Sequence, residues 1–515
     1  KQTGDRRRVY CGASVGGGWA WDPKSEFHVK GGARGLDWDR RAPQSTDDFL
    51  KNIMQVTQKG RKPIVFDVNE PYLSHELGQW CAFPDLKETS QYTGAYKARN
   101  FEIFADLLRD NGMASQAGKF LMASGKLQTL AYKYDVERNL RTPDYAGFQM
   151  LALNDYSGQG TALVGVLNVF WREKGYCTAD QWTQFCSPIV PLAKFPKFVY
   201  TNDETLSVDV EMYNAYRETL RDATTKYTVT DANGNKHFYD DQTDNYLQKL
   251  YAGDITVGKN RALGTVSMPL SAIAEPSKLK LTVTTTPSND VGQRIENSWE
   301  FWVYPAKQAM PEAKGILVTD TLDARVVAAL RKGGRVLITA AGKVRFGNDV
   351  KQTYLPVFWN TSWFKMRPPH TTGAAIDTSH PLFGEFPTDD WSNLNWWELL
   401  NKAQVMNLRD FPAAYQPPIQ PIDTWHISRK LGMLVEANVL GGRLLMTTMD
   451  IDSNLDLRPV ARQMRKAIIS YMESDDFRPS ITLEPEVITN LFENEAPAVN
   501  MFTNDSPDEL KPKLK

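Results

Sequence analysis

Polar and potentially catalytic side chains are concentrated in residues 69–80, which read NEPYLSHELGQW. Burying a carboxylate beside an imidazole costs free energy unless both groups are hydrogen-bonded or used, so His75 and Glu76 form an unusual pair for a strand end. Retaining cleavage of a glycosidic bond needs one carboxylate as nucleophile and a second as acid/base, about 5–5.5 Å away. Glu76 suits the first role, and His75 and Gln79 are predicted to orient it or to contact substrate hydroxyls. The structural alternative is a strand-end glutamate in a salt bridge.

Neighbouring residues allow other interpretations of the same stretch. Glu70 lies in an Asn-Glu-Pro tripeptide like that around the acid/base of many barrel glycosidases, but it comes only six residues before Glu76. Two residues so close cannot come from different strands, so we interpret Glu70 as part of a turn. Residues 75–79 also resemble the start of a zinc-protease helix, but Gln79 replaces the second histidine and Gly78 disfavours a helix. The glycines at 16–18 lack the spacing of a phosphate-binding loop.

A second polar group follows the apolar run 147–153. Asn154, Asp155 and Tyr156 come directly after it, where a barrel places its functional loops, and we predict that they share the cleft of Glu76. A polar turn with an Asx hydrogen bond is the alternative. Flat aromatic rings stack on sugar rings in binding clefts, although core packing is their other common role. The tryptophans predicted to line the cleft are Trp19, Trp21, Trp80 and Trp171.

Bulk composition limits the class of protein. The 515 residues are too many for one hydrophobic core, so several domains are expected. A formal net charge of -1 argues against a nucleic-acid partner, which requires a basic surface. Fourteen Trp and twenty Tyr suit a sugar-binding protein or aromatic packing. No apolar run reaches the roughly 20 residues that span a bilayer.

The four cysteines are too few for a disulfide scaffold and lack zinc-ligand spacing, so neither a metal nor a cofactor is expected. Cys177 and Cys186 could pair across a short loop or remain free thiols. The chain has no signal peptide and no initial Met. We therefore expect a part of a longer protein.

Strands alternate with helices up to about residue 190. Strands are predicted at 8–13, 62–66, 72–76 and 147–153, and helices at 45–59, 94–112 and 118–141. Such βα units indicate a parallel sheet, but three or four of them make only half of a closed barrel. Half a barrel leaves open sheet edges, so we expect a missing N-terminal segment or a second chain to complete it.

The pattern changes twice further along the chain. Short alternating runs separated by turns are typical of an antiparallel β-sandwich, and a later strand–helix–strand pattern is typical of a Rossmann-like or amidotransferase-like α/β domain. An amidotransferase activity is excluded because no cysteine lies in residues 315–475. The predicted domains are the C-terminal half of a (β/α)8 barrel at 1–190, the sandwich at 191–305, the α/β domain at 306–475 and an extended tail at 476–515.

Several strings resemble bacterial β-galactosidase-like proteins related to glycoside hydrolase family 2. The resemblance covers most of residues 1–475. It is carried by SHELGQWC at 74–81, YTG at 92–94, KARNF at 97–101, GFQML at 147–151, GQGTALVG at 158–165 and FW at 170–171. It continues with CSP at 186–188, FPK at 195–197, YTNDE at 200–204, NWW at 395–397, QPID at 420–423 and RPVARQ at 458–463.

The resemblance implies a jelly-roll, a (β/α)8 barrel, an immunoglobulin-like sandwich and further C-terminal domains. It also implies retaining hydrolysis, with Glu76 as the nucleophile after the seventh barrel strand and the acid/base glutamate upstream of this chain. The implied substrate is a terminal sugar of an oligosaccharide or polysaccharide, such as a plant-wall β-galactoside, and the implied location is periplasmic or secreted. A galacturonide is the alternative substrate, with Lys30, Arg34 and Arg40 as candidate partners for its carboxylate.

Two further functions stay open from the sequence. The chain could be a non-catalytic carbohydrate-binding or scaffold protein that keeps an aromatic cleft. It could also be a subunit whose activity depends on a partner chain carrying the other half of the barrel.

Overall fold

The fold is known from a computed structural model, which describes residues 7–12, 22, 24–30, 35–49, 71–143, 145–156, 162–238, 247–350, 352–356 and 371–497. No helix within these ranges is both long enough and apolar enough to cross a lipid bilayer.

The first region contains a three-stranded parallel sheet. Its strands are β1 (His28–Lys30), β2 (Tyr72–Leu77) and β3 (Tyr145–Met150), and β2 lies in the middle. Helices α1 (Arg99–Asp110) and α2 (Ala117–Arg141) lie between β2 and β3 in the sequence. Because the strands are parallel, the residues that follow β2 and β3 emerge at the same edge of the sheet. Closure into a barrel stays a prediction.

Both helices form where the apolar spacing predicts them. In α1, Phe101, Phe104 and Leu108 recur at helical spacing and are buried. Most of α2 is buried, and it stops at Arg141 because Thr142 precedes a proline, which disfavours helical backbone there. The predicted helices at 94–112 and 118–141 are therefore confirmed, with a later start for the first.

Two sheets face each other in the second region. The smaller has the order β10-β6-β4, and the larger has the order β5-β12-β11-β7-β8, with β9 paired to β7. Alternation of buried and exposed residues along β6 turns Leu206, Val208 and Val210 into the space between the sheets. The strands are β4 (Ile189–Lys194), β5 (Val199–Thr201), β6 (Thr205–Asn214), β7 (Leu220–Asp231), β8 (Lys236–His237), β9 (Gln248–Ile255), β10 (Arg261–Pro269), β11 (Ser277–Thr286) and β12 (Ile295–Tyr304).

A buried polar network joins α2 to the second region. The Glu137 carboxylate, fully buried, accepts hydrogen bonds from Trp299 Nε1 at 3.0 Å and Asn297 Nδ2 at 2.8 Å. Lys133 and Arg141 contribute the positive charges, at 2.5 and 3.4 Å from the same carboxylate. Burial lowers the pKa of both cations. Helix α2 is thus held against β12 by charged groups that have partners inside the protein.

The third region is built on a six-stranded sheet with the order β13-β14-β20-β19-β17-β15. Strands β13, β14 and β20 are parallel, while β19 runs antiparallel to β20. The strands of this region are β13 (Ile316–Thr319), β14 (Arg335–Thr339), β15 (Ala374–Ile376), β16 (Met406–Asn407), β17 (Ile419–Pro421), β18 (Leu431–Gly432), β19 (Leu434–Val439) and β20 (Gly442–Thr447).

Short helices complete the described chain. The remaining α-helices are α3 (Ala179–Thr183), α4 (Ala324–Arg331), α5 (Trp397–Leu400), α6 (Pro459–Glu473) and α7 (Pro485–Glu493). Four 3-10 helices lie at Leu86–Gln91, Ala114–Gln116, Pro381–Glu385 and Leu394–Trp396. Helix α7 occupies part of the predicted tail, so that part is not extended.

Two predictions near the start of the chain are wrong. Residues 7–12 form no strand, because the backbone N–H of Tyr10 donates to a carboxylate oxygen of Glu26 (2.7 Å) instead of to a neighbouring strand. The helix predicted at 45–59 does not begin at Ser45, because the Ser45 hydroxyl donates to the carbonyl of Ala193 (2.9 Å) and accepts from the N–H of Phe195 (2.7 Å). Residues 45–49 are not helical, and 50–59 lie outside the described residues. The predicted strand at 62–66 also lies outside them.

Candidate active site

Glu76 lies at a distortion near the end of β2. The pairing of β2 with β3 shifts register between Ser74 and Leu77, as expected of a β-bulge. Glu76 itself has φ of 52°, a left-handed conformation that costs roughly 1 kcal/mol or more for a residue other than glycine. Such strain is concentrated at functional sites, where it directs a side chain that a regular strand would turn elsewhere.

Two polar side chains, those of Gln79 and His75, lie against the Glu76 carboxylate. Gln79 Nε2 donates to one carboxylate oxygen at 3.0 Å, and His75 Nε2 lies 3.4 Å from the other. The second ring nitrogen of His75 is 3.3 Å from Gln149 Oε1 on β3, which fixes the imidazole between two strands. The Glu76 side chain keeps 32% of its surface exposed. It is therefore oriented by hydrogen bonds yet open to a reactant.

Gly78 permits the chain to turn directly after this bulge. Its φ is 67°, and a Cβ added there would lie 2.0 Å from the ring of Tyr132 on α2. The Tyr132 hydroxyl donates to the carbonyls of Gly78 (2.7 Å) and Val164 (2.6 Å). Only glycine satisfies both the backbone conformation and the close approach of the ring. The buried ring of Tyr132 thus fixes the segment that carries Glu76 and Gln79.

Trp80 forms one wall of a cleft. Its carbonyl accepts a hydrogen bond from Gln128 Nε2 at 2.8 Å, and its side chain is 9% exposed. The ring lines a cleft of about 610 Å³ whose other residues come from the first and third regions. These include Asp39, Arg40, Asn348, Val350, Gln352, Leu355, Asn401, Lys402 and Gln404.

Asp155 is buried, whereas Glu76 is partly exposed. The Asp155 side chain is buried and forms an ion pair with Lys174 at 2.6 Å, while its other oxygen accepts from the N–H of Gly165 at 2.9 Å. Burial raises the pKa of Asp155, and Lys174 opposes that effect. The Asn154 amide donates to the Asp155 carbonyl at 3.0 Å. Both side chains therefore hold the loop that follows β3.

Glu88 is a buried carboxylate that the sequence analysis did not single out. It lies in the 3-10 helix Leu86–Gln91, and one oxygen accepts a hydrogen bond from the Tyr92 hydroxyl at 3.2 Å. Its other oxygen has no hydrogen-bond partner among the described residues. Burial and the nearby charge of Asp155 raise the pKa of Glu88 to about 7. Nothing in the local sequence distinguishes it from a surface glutamate.

The structure brings only some of the predicted site residues together. His75, Glu76 and Gln79 form one hydrogen-bonded group, and Asp155 and Tyr156 line a cleft of about 320 Å³ with Tyr92. That Glu76 and Asp155 share one cleft stays a prediction. Trp171 is 65% exposed. Trp19, Trp21, Glu70, Arg34 and the side chain of Lys30 lie outside the described residues.

Glu26 precedes β1, so it lies toward the opposite edge of the parallel sheet from Glu76. Its carboxylate accepts the Tyr10 N–H. Among the described residues, no group of three or more His, Cys, Asp or Glu side chains is arranged to hold a metal ion. Cys177 and Cys186 are not joined by a disulfide.

Two family models match parts of this chain. Residues 204–305 match a domain of unknown function (DUF8488), and residues 317–493 match another (DUF8487). No curated protein sequence matches the chain.

Several solved structures show weak, partial similarity. A family 123 glycoside hydrolase from Clostridium perfringens shares 12% identity over 26% of this chain and 27% of its own, with a TM-score of 0.16. The β-glucuronidase of Parabacteroides merdae shares 16% identity over 20% of this chain and 12% of its own, with a TM-score of 0.14. The periplasmic chaperone SfaE shares 13% identity over 25% of this chain and 65% of its own, with a TM-score of 0.17. This chain thus spans about a quarter of the glycoside hydrolase named first.

Proposed function

We propose that this chain carries the nucleophile of a retaining glycoside hydrolase, and that the nucleophile is Glu76. The observation that carries the proposal is the strained bulge at the end of β2, which presents a hydrogen-bonded and partly exposed carboxylate. The contacts of this carboxylate include Gln79 Nε2 at 3.0 Å and His75 Nε2 at 3.4 Å, and about a third of the side chain stays exposed to a reactant.

The proposed first step forms one bond and breaks another. A Glu76 oxygen attacks the anomeric carbon, the bond from that carbon to the leaving oxygen breaks, and a second carboxylic acid gives its proton to that oxygen. Water then attacks the glycosyl-enzyme ester with help from the same second carboxylate. That acid/base must lie about 5–5.5 Å from Glu76. The proposed substrates are terminal β-galactosides or uronides of complex glycans.

Gln79 and His75 act as positioning residues in this proposal. A hydrogen bond to one carboxylate oxygen restricts rotation of the side chain and leaves the other oxygen to attack. Gln79 is neutral, so it orients Glu76 without the strong attraction that a cation would exert on a nucleophile. His75 is anchored to Gln149, so its contact with Glu76 has a fixed direction.

Replacement of Glu76 by glutamine tests the proposal. The change keeps the size of the side chain and removes its nucleophilic charge, so hydrolysis of 4-nitrophenyl β-galactoside or β-galacturonide should fall roughly 10⁴- to 10⁶-fold. Glu102→Gln is the matched control, because Glu102 is an exposed residue of α1 paired with Arg99. A Glu76→Gln variant that keeps more than a few per cent of the activity would contradict the assignment.

A further inference from the structure

The cleft beside Trp80 has walls from two distant parts of the sequence. Trp80, Asp39 and Arg40 come from the first region, whereas Asn401 and Lys402 follow helix α5 in the third region. The cleft encloses about 610 Å³, which is the size expected of a small-ligand site. Apolar side chains lie beside amides and cations in its lining, which is the mixture that sugars require.

Direct hydrogen bonds fix the two walls relative to each other. Trp397 Nε1 donates to the carbonyl of Trp38 at 2.6 Å, and Asn401 Nδ2 donates to the carbonyl of Asp39 at 3.4 Å. Trp38 is 2% exposed, so the first of these bonds lies inside the protein. The wall that carries Lys402 is therefore held in place by the residues next to Arg40.

Two polar atoms in this lining have no hydrogen-bond partner among the described residues. They are the indole N–H of Trp80 and the side-chain oxygen of Asn401. One is a donor and the other an acceptor, and a buried polar group without a partner is unfavourable. Both atoms are shielded from solvent, so they lie behind the surface of the cleft, and a ligand reaches them only where the side chains around them move.

Lys402 occupies a backbone position where helices usually place glycine. Helix α5 ends at Leu400, and Lys402 follows with φ of 64°. Lysine is strained in this left-handed conformation, whereas glycine is not. Its side chain is exposed and forms no ion pair with a described residue. Lys402 is among the residues that line the cleft, so its exposed side chain adds a positive charge there.

We propose that the third region and Trp80 together form a binding subsite for an acidic sugar, with the Lys402 ammonium pairing with the sugar carboxylate. The inference rests on the proposed glycosidase function and names its substrate class as uronate-containing. Arg40 adds a second cation, although the neighbouring Asp39 carboxylate lies 3.8 Å from it. Lys402 is consequently the residue that distinguishes acidic from neutral sugars.

Calorimetric titration of the full chain carrying Glu76→Gln tests this subsite, because binding is then measured without turnover. Trigalacturonate should bind, and the neutral galactotriose should bind at least about tenfold more weakly. Adding Lys402→Gly should weaken trigalacturonate binding about tenfold and leave galactotriose binding unchanged. The unfolding midpoint should not fall, because glycine relieves the left-handed strain.

Two control variants isolate the charge of Lys402. Ala313→Gly removes another left-handed residue, with φ of 53°, and Lys314→Gln removes an exposed lysine far along the sequence from the cleft residues. Neither should change trigalacturonate binding. Equal affinity for the two trisaccharides, or unchanged trigalacturonate binding in Lys402→Gly, would overturn the proposal. Hydrolysis by the chain with Glu76 intact is scored separately, so failure of the subsite and failure of the glycosidase assignment are distinguishable.

Discussion

Glu76 lies near the end of β2 and Asp155 follows the neighbouring parallel strand β3, yet the two carboxylates have opposite environments. Glu76 keeps about a third of its side-chain surface exposed and is held by an amide and an imidazole. Asp155 is buried, and its charge is paired with Lys174. Both residues lie at or beyond the C-terminal end of a parallel strand. Burial and the ion pair with Lys174 make Asp155 a structural anchor, whereas its exposure leaves the Glu76 carboxylate open to a reactant.

Removal of the cation beside Asp155 should have the largest effect on stability. Lys174→Met leaves a buried carboxylate without its counter-charge, which should lower the free energy of unfolding by roughly 3–5 kcal/mol. Chemical denaturation measures this loss. Arg109→Met, which breaks an exposed ion pair with Asp106, is the control and should leave the free energy of unfolding nearly unchanged. A loss below about 1 kcal/mol in Lys174→Met would mean that the Asp155 pair is not the anchor described above.

Disruption of the turn after Glu76 should have the next largest effect. Gly78→Ala combines an unfavourable left-handed conformation with a clash against the Tyr132 ring, and should cost roughly 2–4 kcal/mol. Gly234→Ala is the matched control, because its φ of 83° is also left-handed but no atom lies within 4 Å of the added Cβ. The control should cost about 1 kcal/mol. Equal losses in the two variants would show that Tyr132 does not constrain this turn.

A smaller, pH-dependent effect on stability is expected at Glu88, which is a buried carboxylate like Asp155. Its pKa of about 7 in the folded protein exceeds the ordinary 4.5, so the folded state keeps a proton that the unfolded chain releases between those values. Stability should therefore fall as pH rises from 4.5 to 7 and become level above 7.

Glu88→Gln removes this titration. The variant should be more stable than the unchanged protein by about 2 kcal/mol at pH 8 and nearly equal to it at pH 4.5. Unfolding free energies measured at several pH values give the difference, with Glu102→Gln as an exposed control. A difference that does not depend on pH would show that Glu88 is not protonated in the folded protein below pH 7.

The sequence predicts helices and strands better than it predicts which side chains contact each other. Strand β2 and helix α2 were predicted because their apolar spacing is local and regular. The roles of Asp155 and Glu76 depend on contacts with Lys174 and Gln79, and only the second lies close enough in sequence to be anticipated. The left-handed backbone of Glu76 could not be predicted either, because glutamate seldom adopts it without tertiary support.

The cleft beside Trp80 also depends on contacts that local sequence does not predict, and here the residues are even further apart in the sequence. Trp80 was predicted as a sugar-contacting residue, but Asn401 and Lys402 lie more than three hundred positions further along the chain. Hydrogen bonds from Trp397 and Asn401 to residues 38 and 39 bring them together. Such pairings depend on how the regions pack, which no local pattern encodes.

Covalent trapping is the most direct test of Glu76 as the nucleophile. A 2-deoxy-2-fluoro β-glycoside with a dinitrophenyl leaving group slows hydrolysis of the glycosyl-enzyme ester of a retaining enzyme, so the intermediate accumulates. The full chain should be incubated with the galactosyl and galacturonosyl reagents, digested, and analysed by peptide mass spectrometry. The proposed function predicts one sugar per chain, attached to Glu76, and no adduct in Glu76→Gln. An adduct on Asp155, on Glu88 or on any other carboxylate would contradict it.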